Sequence, residues 1–442
     1  MLVNAQVRRV AILGGNRIPF ARANTAYATA SNPQMLTAAL QGLVDRFSLR
    51  GRRLDEVVAG AVIKHARDFN LTRESVLSTT LARQTPAYDV QQACGTGLEA
   101  TILVANKIAL GQIDVGIAGG TDTASDAPIG LNEKMRKVLL EANRAKSAAA
   151  RLKALAGLRP SMLVRPLLPR NSEPRTGLSM GEHCELMAKR WGIRREDQDA
   201  LALRSHQHLA AAYARGFFAD LMTAHLGLDR DNNLRPNLAL DQLAKLPPAF
   251  DRSPTGTLTA GNSTPLTDGA SCVLLASEDW ARAHGLPVLA YLTCADTAAV
   301  NFFSHTTERP EQNEGLLMAP AYAVARMLQR AGLTLQDFDY YEIHEAFAAQ
   351  VLCTLAAWES ADYCRAQLGR PVPLGSIDRD RLNVNGSSLG TGHPFAATGA
   401  RIVASLAKLL AQRGSGRGLV SICAAGGQGV VAILERPERM PS

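Results

Sequence analysis

The sequence has 442 residues, with 48 lysines and arginines against 40 aspartates and glutamates, and a formal net charge of +8. Hydrophobic residues make up 46% and charged residues 20%, which is typical of globular proteins and excludes intrinsic disorder. No run of about 18 apolar residues occurs, which excludes a membrane-spanning helix. The 7 cysteines contain no CxxC pair, so we expect neither a disulfide framework nor a metal site. We therefore expect a soluble, cytoplasmic protein of two or three domains.

The first strand is predicted at the apolar run 10–13, and it follows a polar stretch without the hydrophobic core of a signal peptide. We therefore expect no cleaved leader. Further along, short apolar runs that end in glycine alternate with segments of helical period. The helix-like segment 100–110 followed by the strand-like segment 115–120 is one example. This alternation predicts an α/β fold.

The positive charge is concentrated in the segment 131–175, where eleven lysines and arginines face three glutamates. Small or apolar residues recur there at alternating spacings of four and three from Leu131 to Ala156, which predicts one amphipathic helix. Three prolines between 160 and 169 then predict a loop. Because almost no aromatic residues are interleaved for base stacking, we do not expect nucleic-acid binding.

Two polar helical stretches follow this basic segment. We expect His183 and Cys184 on the surface of the first, and His206 and His208 solvated on the second.

Two pairs of segments repeat in the same order along the chain. The segment 40–62 resembles 324–346, since each contains a helix and then a strand. The segment that begins at Cys94 resembles the one that begins at His393, since each has a glycine-rich turn, a helix and a buried strand. Two halves of similar topology explain this repeat, with the basic region inserted in the first half. A chance match of generic α/β units is the alternative.

Cys94 is a candidate nucleophile. It lies in the sequence QQACGTG, just before a predicted helix, where backbone N–H groups and the positive end of the helix dipole favour the thiolate. The flanking glycines allow a substrate to approach closely. A buried structural cysteine is the alternative.

Three further residues lie where chemistry is possible. His393 stands in a glycine-rich loop and can face a cleft at the start of a helix, although a core histidine is the alternative. Cys423 ends a predicted strand before a glycine loop that can form an oxyanion site, and its thiol can exchange protons. His344 follows another strand, and Ala348 stands where an HExxH zinc motif needs its second histidine.

In this order the motifs resemble those of the thiolase family over nearly the whole chain, from GGNRIPFAR at 14–22 to CAAGGQG at 423–429. The stretches HEAFAAQ, GHPFAATGAR and CAAGG, together with the basic insertion, are most similar to the β subunit of the fatty-acid-oxidation multienzyme complex. The resemblance implies a five-layered αβαβα core of two similar βαβαβαββ halves with an inserted, mainly helical loop domain. The implied division is an N-terminal half (1–125, completed by 250–280), a basic loop domain (126–249) and a C-terminal half (281–442).

The resemblance also implies roles for individual residues. Cys94 attacks the 3-keto carbonyl of an acyl-CoA and holds the acyl group as a thioester. His393 takes the proton from Cys94, and its Nε2 helps to bind the first oxyanion. Cys423 protonates the departing acetyl-CoA carbanion. The backbone N–H groups of Cys94 and Ala425 form a second oxyanion site.

Two positions depart from the commonest family pattern. His344 replaces an asparagine that holds a catalytic water in many thiolases, and it can reach the thioester oxygen directly. Ala425 stands where many relatives have glycine.

The resemblance also implies contacts with the substrate. Ala260 and Thr264 match positions that line the pantetheine tunnel, and Met180 and Phe347 match residues near the acyl group. Arginines of the insertion are candidates for the 3′-phosphate of CoA.

The resemblance therefore implies a 3-ketoacyl-CoA thiolase of fatty acid β-oxidation, with CoA as co-substrate and no permanently bound cofactor. Its implied partners are acyl-CoA, a second copy in a homodimer or larger oligomer, and a hydratase/dehydrogenase α subunit. One alternative is a biosynthetic acetyl-CoA acetyltransferase. A second is a ketoacyl-synthase-type condensing enzyme, but such enzymes lack a second catalytic cysteine, so Cys423 argues against it. A third is a non-catalytic subunit that docks to a complex or a membrane through 131–175.

Overall fold

The computed structural model describes residues 7–163, 166–303 and 314–438. The strands in this part of the chain are β1 (Val10–Arg17), β2 (Ala21–Arg22), β3 (Glu56–Ala59), β4 (Ala87–Asp89), β5 (Val115–Asp122), β6 (Thr267–Ser277), β7 (Ala290–Ala299), β8 (Tyr340–Ile343), β9 (Gly416–Ala424) and β10 (Gln428–Arg436). The α-helices are α1 (Asn32–Arg46), α2 (Leu71–Leu77), α3 (Thr96–Ala109), α4 (Glu133–Arg144), α5 (Ala148–Leu155), α6 (Pro160–Leu163), α7 (Met180–Arg190), α8 (Arg195–Ala214), α9 (Leu240–Ala244), α10 (Glu278–Ala283), α11 (Ala319–Ala331), α12 (Ala348–Glu359), α13 (Ala361–Ala366), α14 (Ser388–Thr391) and α15 (Thr398–Arg413).

The strands pair in the order β4-β3-β5-β6-β1-β7-β10-β9-β8, with β2 attached to β6. Outward from β1, β1 pairs antiparallel with β6, β6 pairs antiparallel with β5, and β5 pairs parallel with β3. Outward from β7, the same pattern runs through β10, β9 and β8. The internal repeat is therefore confirmed. The second copy is shorter, because between β8 and β9 the described residues contain no counterpart of β4.

The two halves of the sheet join through only two residue pairs, which link Ala11 to Tyr291 and Ile12 to Ala290. Helices α3 and α15 contact each other and contact strands of both halves, so they form a central layer. Helix α1 covers the outer face of the first half, and α11 covers the outer face of the second. The predicted αβαβα layering is confirmed.

Residue alternation along the strands explains this layering. In β1, Ala11 and Leu13 pack into the outer core with α1, whereas Val10 and Ile12 pack into the central core with α3 and α15. Strands that are buried on both faces need apolar residues on both faces, which accounts for their nearly continuous hydrophobic sequences.

The two central helices approach each other closely at their N-termini. A Cβ atom on Gly399 would lie 2.1 Å from the backbone nitrogen of Leu98, and one on Gly97 would lie 2.5 Å from the carbonyl oxygen of Ala396. Only glycine permits this contact. Because Cys94 precedes α3 and His393 precedes α15, the contact brings the segments that carry these two residues together.

The basic segment differs from its prediction. It forms two helices instead of one, because the backbone is extended at Ala145 and Ser147 caps α5 by accepting a hydrogen bond from the N–H of Ala150. The proline-containing stretch begins with the helical turn α6 rather than with a loop. In α4 and α5 only Ala142 is buried. Within the described ranges, no helix is long and apolar enough to cross a bilayer.

The prediction of exposed histidines and of an exposed Cys184 on α7 and α8 is wrong. His183 and His206 are only 4% and 5% exposed, Cys184 is fully buried, and the Nδ1 of His208 lies 3.0 Å from the carbonyl oxygen of Asn383. Residues of α7 and α8 pack into the cores that they share with α12 and α15. Polar residues on these helices are therefore buried by neighbours that sequence periodicity does not reveal.

Candidate active site

A cavity of about 60 Å³ lies at the ends of the central helices and of β9. Its wall contains most of the predicted site residues, namely Cys94, Met180, Thr264, Phe347, His393, Cys423 and Ala425. His344 is not part of this wall, but its ring lies next to that of His393, with 4.0 Å between the ring centroids. Ala260 is exposed and lies outside the lining.

A strained turn holds Cys94 at the start of α3. The preceding Ala93 has φ +46°, in the left-handed region that an alanine rarely adopts. The hydroxyl of Thr96 accepts a hydrogen bond from the N–H of Gln92 at 2.9 Å, and the N–H of Gly95 donates to the carbonyl of Gln92. This turn places Cys94 in the wall of the cavity.

The surroundings of Cys94 favour the thiol, contrary to the expectation of a thiolate. Burial raises the pKa of the Cys94 thiol to about 12, and the charge of Asp122 raises it further, whereas hydrogen bonds from the backbone N–H groups of Ala425 and of Cys94 itself lower it. Loss of solvation therefore outweighs the hydrogen bonds from these two N–H groups. At neutral pH Cys94 is therefore a thiol that needs a base.

His393 lines the same cavity as Cys94. Its Nδ1 lies 2.6 Å from the Thr398 hydroxyl, and its backbone N–H donates to the Thr267 hydroxyl at 2.7 Å. Its Nε2 is buried and has no hydrogen-bond partner among the described residues. Burial and then the charge of Arg401 lower the pKa of His393 to about 3, so the ring is neutral. In the tautomer whose Nδ1 donates to the Thr398 hydroxyl, Nε2 carries a free lone pair.

His344 directly follows β8, and its backbone N–H donates to the carbonyl of Ser421 on β9 at 2.9 Å. Its Nδ1 lies 2.8 Å from the Ser388 hydroxyl, and its buried Nε2 has no hydrogen-bond partner in the described part of the chain. Burial lowers the pKa of His344 far below its usual value, and His393 and Arg401 add to this effect. Two neutral imidazoles thus lie side by side, each with an unpartnered Nε2.

Cys423 stands near the end of β9, before a turn in which Gly426 and Gly427 have φ +78° and +69°. Burial raises the pKa of Cys423 well above its usual value, and its proximity to Cys94 raises it further. The N–H of Gly426 donates to the buried carboxylate of Glu173 at 2.6 Å. This carboxylate, supplied by the region inserted between β5 and β6, fixes the turn that carries the N–H of Ala425.

Two of the predicted substrate contacts build one wall of the cavity. The N–H of Thr264 donates to the carbonyl of Ala346 at 3.1 Å, and the Thr264 hydroxyl donates to the carbonyl of Ser388 at 3.1 Å. Phe347 packs edge-to-face against Phe250, with 5.8 Å between the ring centroids. These contacts connect the segment before β6 to the loops that carry both histidines.

Sequence reasoning missed the residues that hold the site together. The buried carboxylate of Asp122 accepts hydrogen bonds from the N–H groups of Val62, Ile63 and Ala396 at 3.0, 2.8 and 2.9 Å, and so ties the end of β5 to the His393 loop. An acidic residue at the end of a buried strand was the available signal. Ser388 and Thr398 were also missed, although the high density of Ser and Thr around His393 pointed to them.

Comparison with known proteins gives a consistent result. The family model for the thiolase N-terminal domain matches residues 10–279, and that for the thiolase C-terminal domain matches residues 296–436. A 3-ketoacyl-CoA thiolase of Yersinia pestis (strain Pestoides F) is 42% identical over 440 residues, which is 98% of each chain.

Solved structures agree. An acetyl-CoA acetyltransferase of Bacillus anthracis superposes with a TM-score of 0.79 at 28% identity, over 98% of this chain and 100% of that one. The human mitochondrial 3-ketoacyl-CoA thiolase in complex with CoA superposes with a TM-score of 0.78 at 26% identity, over 98% of both chains. The chain belongs to the thiolase family.

Proposed function

We propose that this protein is a 3-ketoacyl-CoA thiolase. It cleaves a 3-ketoacyl-CoA with CoA into acetyl-CoA and an acyl-CoA shortened by two carbons, as an acyltransferase of fatty acid β-oxidation. The observation that carries the proposal is that two thiols and a neutral imidazole, from Cys94, Cys423 and His393, line one cavity. The name of the Yersinia relative supports the same substrate class.

In the first half-reaction the thiol of Cys94 gives its proton to the Nε2 of His393, and its sulfur attacks the 3-keto carbon. The bond between C2 and C3 then breaks, which leaves the acyl group on Cys94 as a thioester. The acetyl-CoA carbanion takes a proton from Cys423. Nε2–H groups of His344 and His393 stabilise negative charge on oxygen, since the His393 ring lines the cavity, the His344 ring lies next to it, and each Nε2 lacks a partner among the described residues.

In the second half-reaction CoA replaces acetyl-CoA. Its thiol gives a proton to the Cys423 thiolate, and its sulfur attacks the thioester. The N–H groups of Cys94 and Ala425 bind the oxyanion, and the N–H of Ala425 donates a hydrogen bond to the Cys94 sulfur. Cys94 then leaves and recovers its proton from His393. Every proton is returned, so no bound cofactor is needed beyond CoA as co-substrate.

Thiolysis across a series of 3-ketoacyl-CoA chain lengths, from acetoacetyl-CoA upward, tests this proposal. Cys94→Ala is expected to abolish both turnover and the acyl-enzyme that mass spectrometry detects. Cys294→Ala is the matched control, because Cys294 is also partly exposed but lies in a different groove. Full thiolysis by Cys94→Ala would refute the assignment of the nucleophile.

The alternative function is a biosynthetic acetyl-CoA acetyltransferase, which the structural similarity to the Bacillus anthracis enzyme supports. The same series decides between the two, because a biosynthetic enzyme would act on acetoacetyl-CoA and fail on longer chains. A ketoacyl-synthase-type enzyme is tested by trapping the acyl-enzyme and then adding either free CoA or a malonyl donor. Reaction with the malonyl donor instead of free CoA would indicate that type of enzyme.

We also propose the three-part division at 1–125 with 250–280, 126–249 and 281–442, a cytoplasmic location, and a homodimer or larger oligomer.

The basic segment 131–175 is proposed to bind a ligand or a partner. Its arginines contact CoA phosphates or a hydratase/dehydrogenase α subunit, and contact with anionic lipid is the alternative. The exposed side chains of Leu140 and Leu152 beside these charges support an interface. Absence of co-sedimentation with anionic vesicles at low salt would remove the lipid alternative.

A further inference from the structure

The two histidines at the cavity have nearly the same surroundings, yet the proposed function needs opposite tautomers from them. As a base, His393 needs a lone pair on Nε2, and as an oxyanion donor His344 needs a proton on Nε2. Each Nδ1 contacts one hydroxyl, that of Thr398 for His393 and that of Ser388 for His344. A hydroxyl can donate or accept, so this contact alone does not determine either tautomer.

Arg401 breaks this symmetry. It projects from α15 and is 4% exposed, and its Nη2 lies 3.2 Å from the Ser388 hydroxyl and 3.4 Å from that of Ser387. A guanidinium is only a donor, so the Ser388 oxygen accepts from Arg401 and its own proton is directed to another acceptor. The Nδ1 of His344, at 2.8 Å, is that acceptor. Among the described residues, no cation donates to the Thr398 hydroxyl.

We propose that Arg401 and Ser388 are positioning residues that hold His344 as its Nε2–H tautomer, so that this nitrogen donates to the substrate oxygen while the Nε2 of neighbouring His393 accepts a proton. The inference rests on the proposed function for the role of that donor. The tautomer itself does not depend on it.

Two further observations support this arrangement. The positive charge of Arg401 helps to lower the pKa of both histidines, so a neutral ring with a single N–H is the form to be oriented. The carboxyl groups of Glu342 and Glu345, when ionised, favour the charged form of Arg401. Burial lowers the pKa of Arg401 to about 10, which still leaves it protonated at neutral pH.

The direct test is ¹⁵N NMR of the full-length enzyme with labelled histidine at pH 7, with the His344 signals assigned by their loss in His344→Gln. Two-bond couplings identify which ring nitrogen carries the proton. The expected result is Nε2–H for His344 and Nδ1–H for His393. An Nδ1–H tautomer or a doubly protonated ring at His344 would overturn the proposal, whether or not the enzyme shows thiolysis.

Variants supply a second readout. Ser388→Ala is expected to mix the His344 tautomers and to lower kcat about tenfold, with little change in KM. This loss is only part of the roughly 10²- to 10³-fold in kcat that one oxyanion donor contributes, because the His344 ring is still present. Ser387→Ala is the matched control, because it also removes a buried hydroxyl that accepts from Arg401 but does not contact His344. In the background of His344→Gln, Ser388→Ala should have no further effect on kcat. Equal losses from Ser388→Ala in both backgrounds would show a merely structural role and overturn the proposal.

Discussion

A buried ion pair joins β1 to the region inserted before β6, and its removal tests how much this pair stabilises the fold. The guanidinium of Arg17 meets the carboxylate of Asp231 in a bidentate pair at 2.5 and 2.7 Å, with side chains that are 3% and 0% exposed. The same carboxylate accepts the N–H of Phe20 at 2.7 Å and the hydroxyl of Tyr213 at 2.8 Å. Burial alone lowers the pKa of Arg17, but the charge of Asp231 reverses this and raises it above its usual value.

Asp231→Asn keeps the shape of the side chain and removes its charge. One amide oxygen remains to accept hydrogen bonds, while the amide N–H₂ faces donors, so about two of the four bonds to a charged acceptor are lost. At roughly 1.5–3 kcal/mol for each of these two bonds to a charged group, the expected loss in the free energy of unfolding is about 3–6 kcal/mol. The remaining buried cation on Arg17 is the physical reason for so large a loss.

Urea unfolding followed by circular dichroism measures this loss. Asp229→Asn is the matched control, because Asp229 pairs with Arg230 at 3.4 Å and is 78% exposed, so its loss is expected to stay under about 1 kcal/mol. The double variant Arg17→Met with Asp231→Leu removes both charges and should recover part of the stability. If Asp231→Asn unfolds like the control, the reasoning about the buried pair is refuted.

Three other perturbations follow from the structure. Burial lowers the pKa of His206 to about 4, so between pH 4 and 6.5 the unfolded chain binds more protons than the folded one. As the pH is lowered through this range, the wild type should lose at most about 1.4 kcal/mol of stability per pH unit more than His206→Gln. Urea midpoints that change in parallel for the two proteins would contradict this. Gly399→Ala should lower both the melting temperature and kcat because its Cβ would lie 2.1 Å from the nitrogen of Leu98, whereas Gly130→Ala, whose nearest neighbour is at 3.5 Å, should change neither. Thr398→Val removes the partner of the His393 Nδ1 and should lower kcat about tenfold or more, which is part of the roughly 10²- to 10⁴-fold that a general base contributes. An unchanged kcat would show that Thr398 does not orient the ring.

The order of motifs predicted much of the fold and of the site. Glycine-rich turns before two helices, each followed by a buried strand, identified the repeated halves, and the same turns identified Cys94 and His393 as neighbours of helix N-termini. These features are local, since a tight turn, a helix start and an apolar strand each depend on a few consecutive residues. Local patterns failed where burial decides the outcome, as at His206, whose polar helix is covered by packing.

What the sequence by itself determined was therefore the set of chemical groups and their positions at the ends of helices and strands. Only the tertiary structure decided their states. Burial by distant segments raises the pKa of the Cys94 thiol, and this effect exceeds that of the backbone N–H groups near it. Ser388 directs its proton to His344 because Arg401, thirteen residues further along the chain, lies 3.2 Å from the Ser388 hydroxyl. Solvation and long-range charge depend on which segments meet in the folded chain, and no pattern of neighbouring residues carries that information.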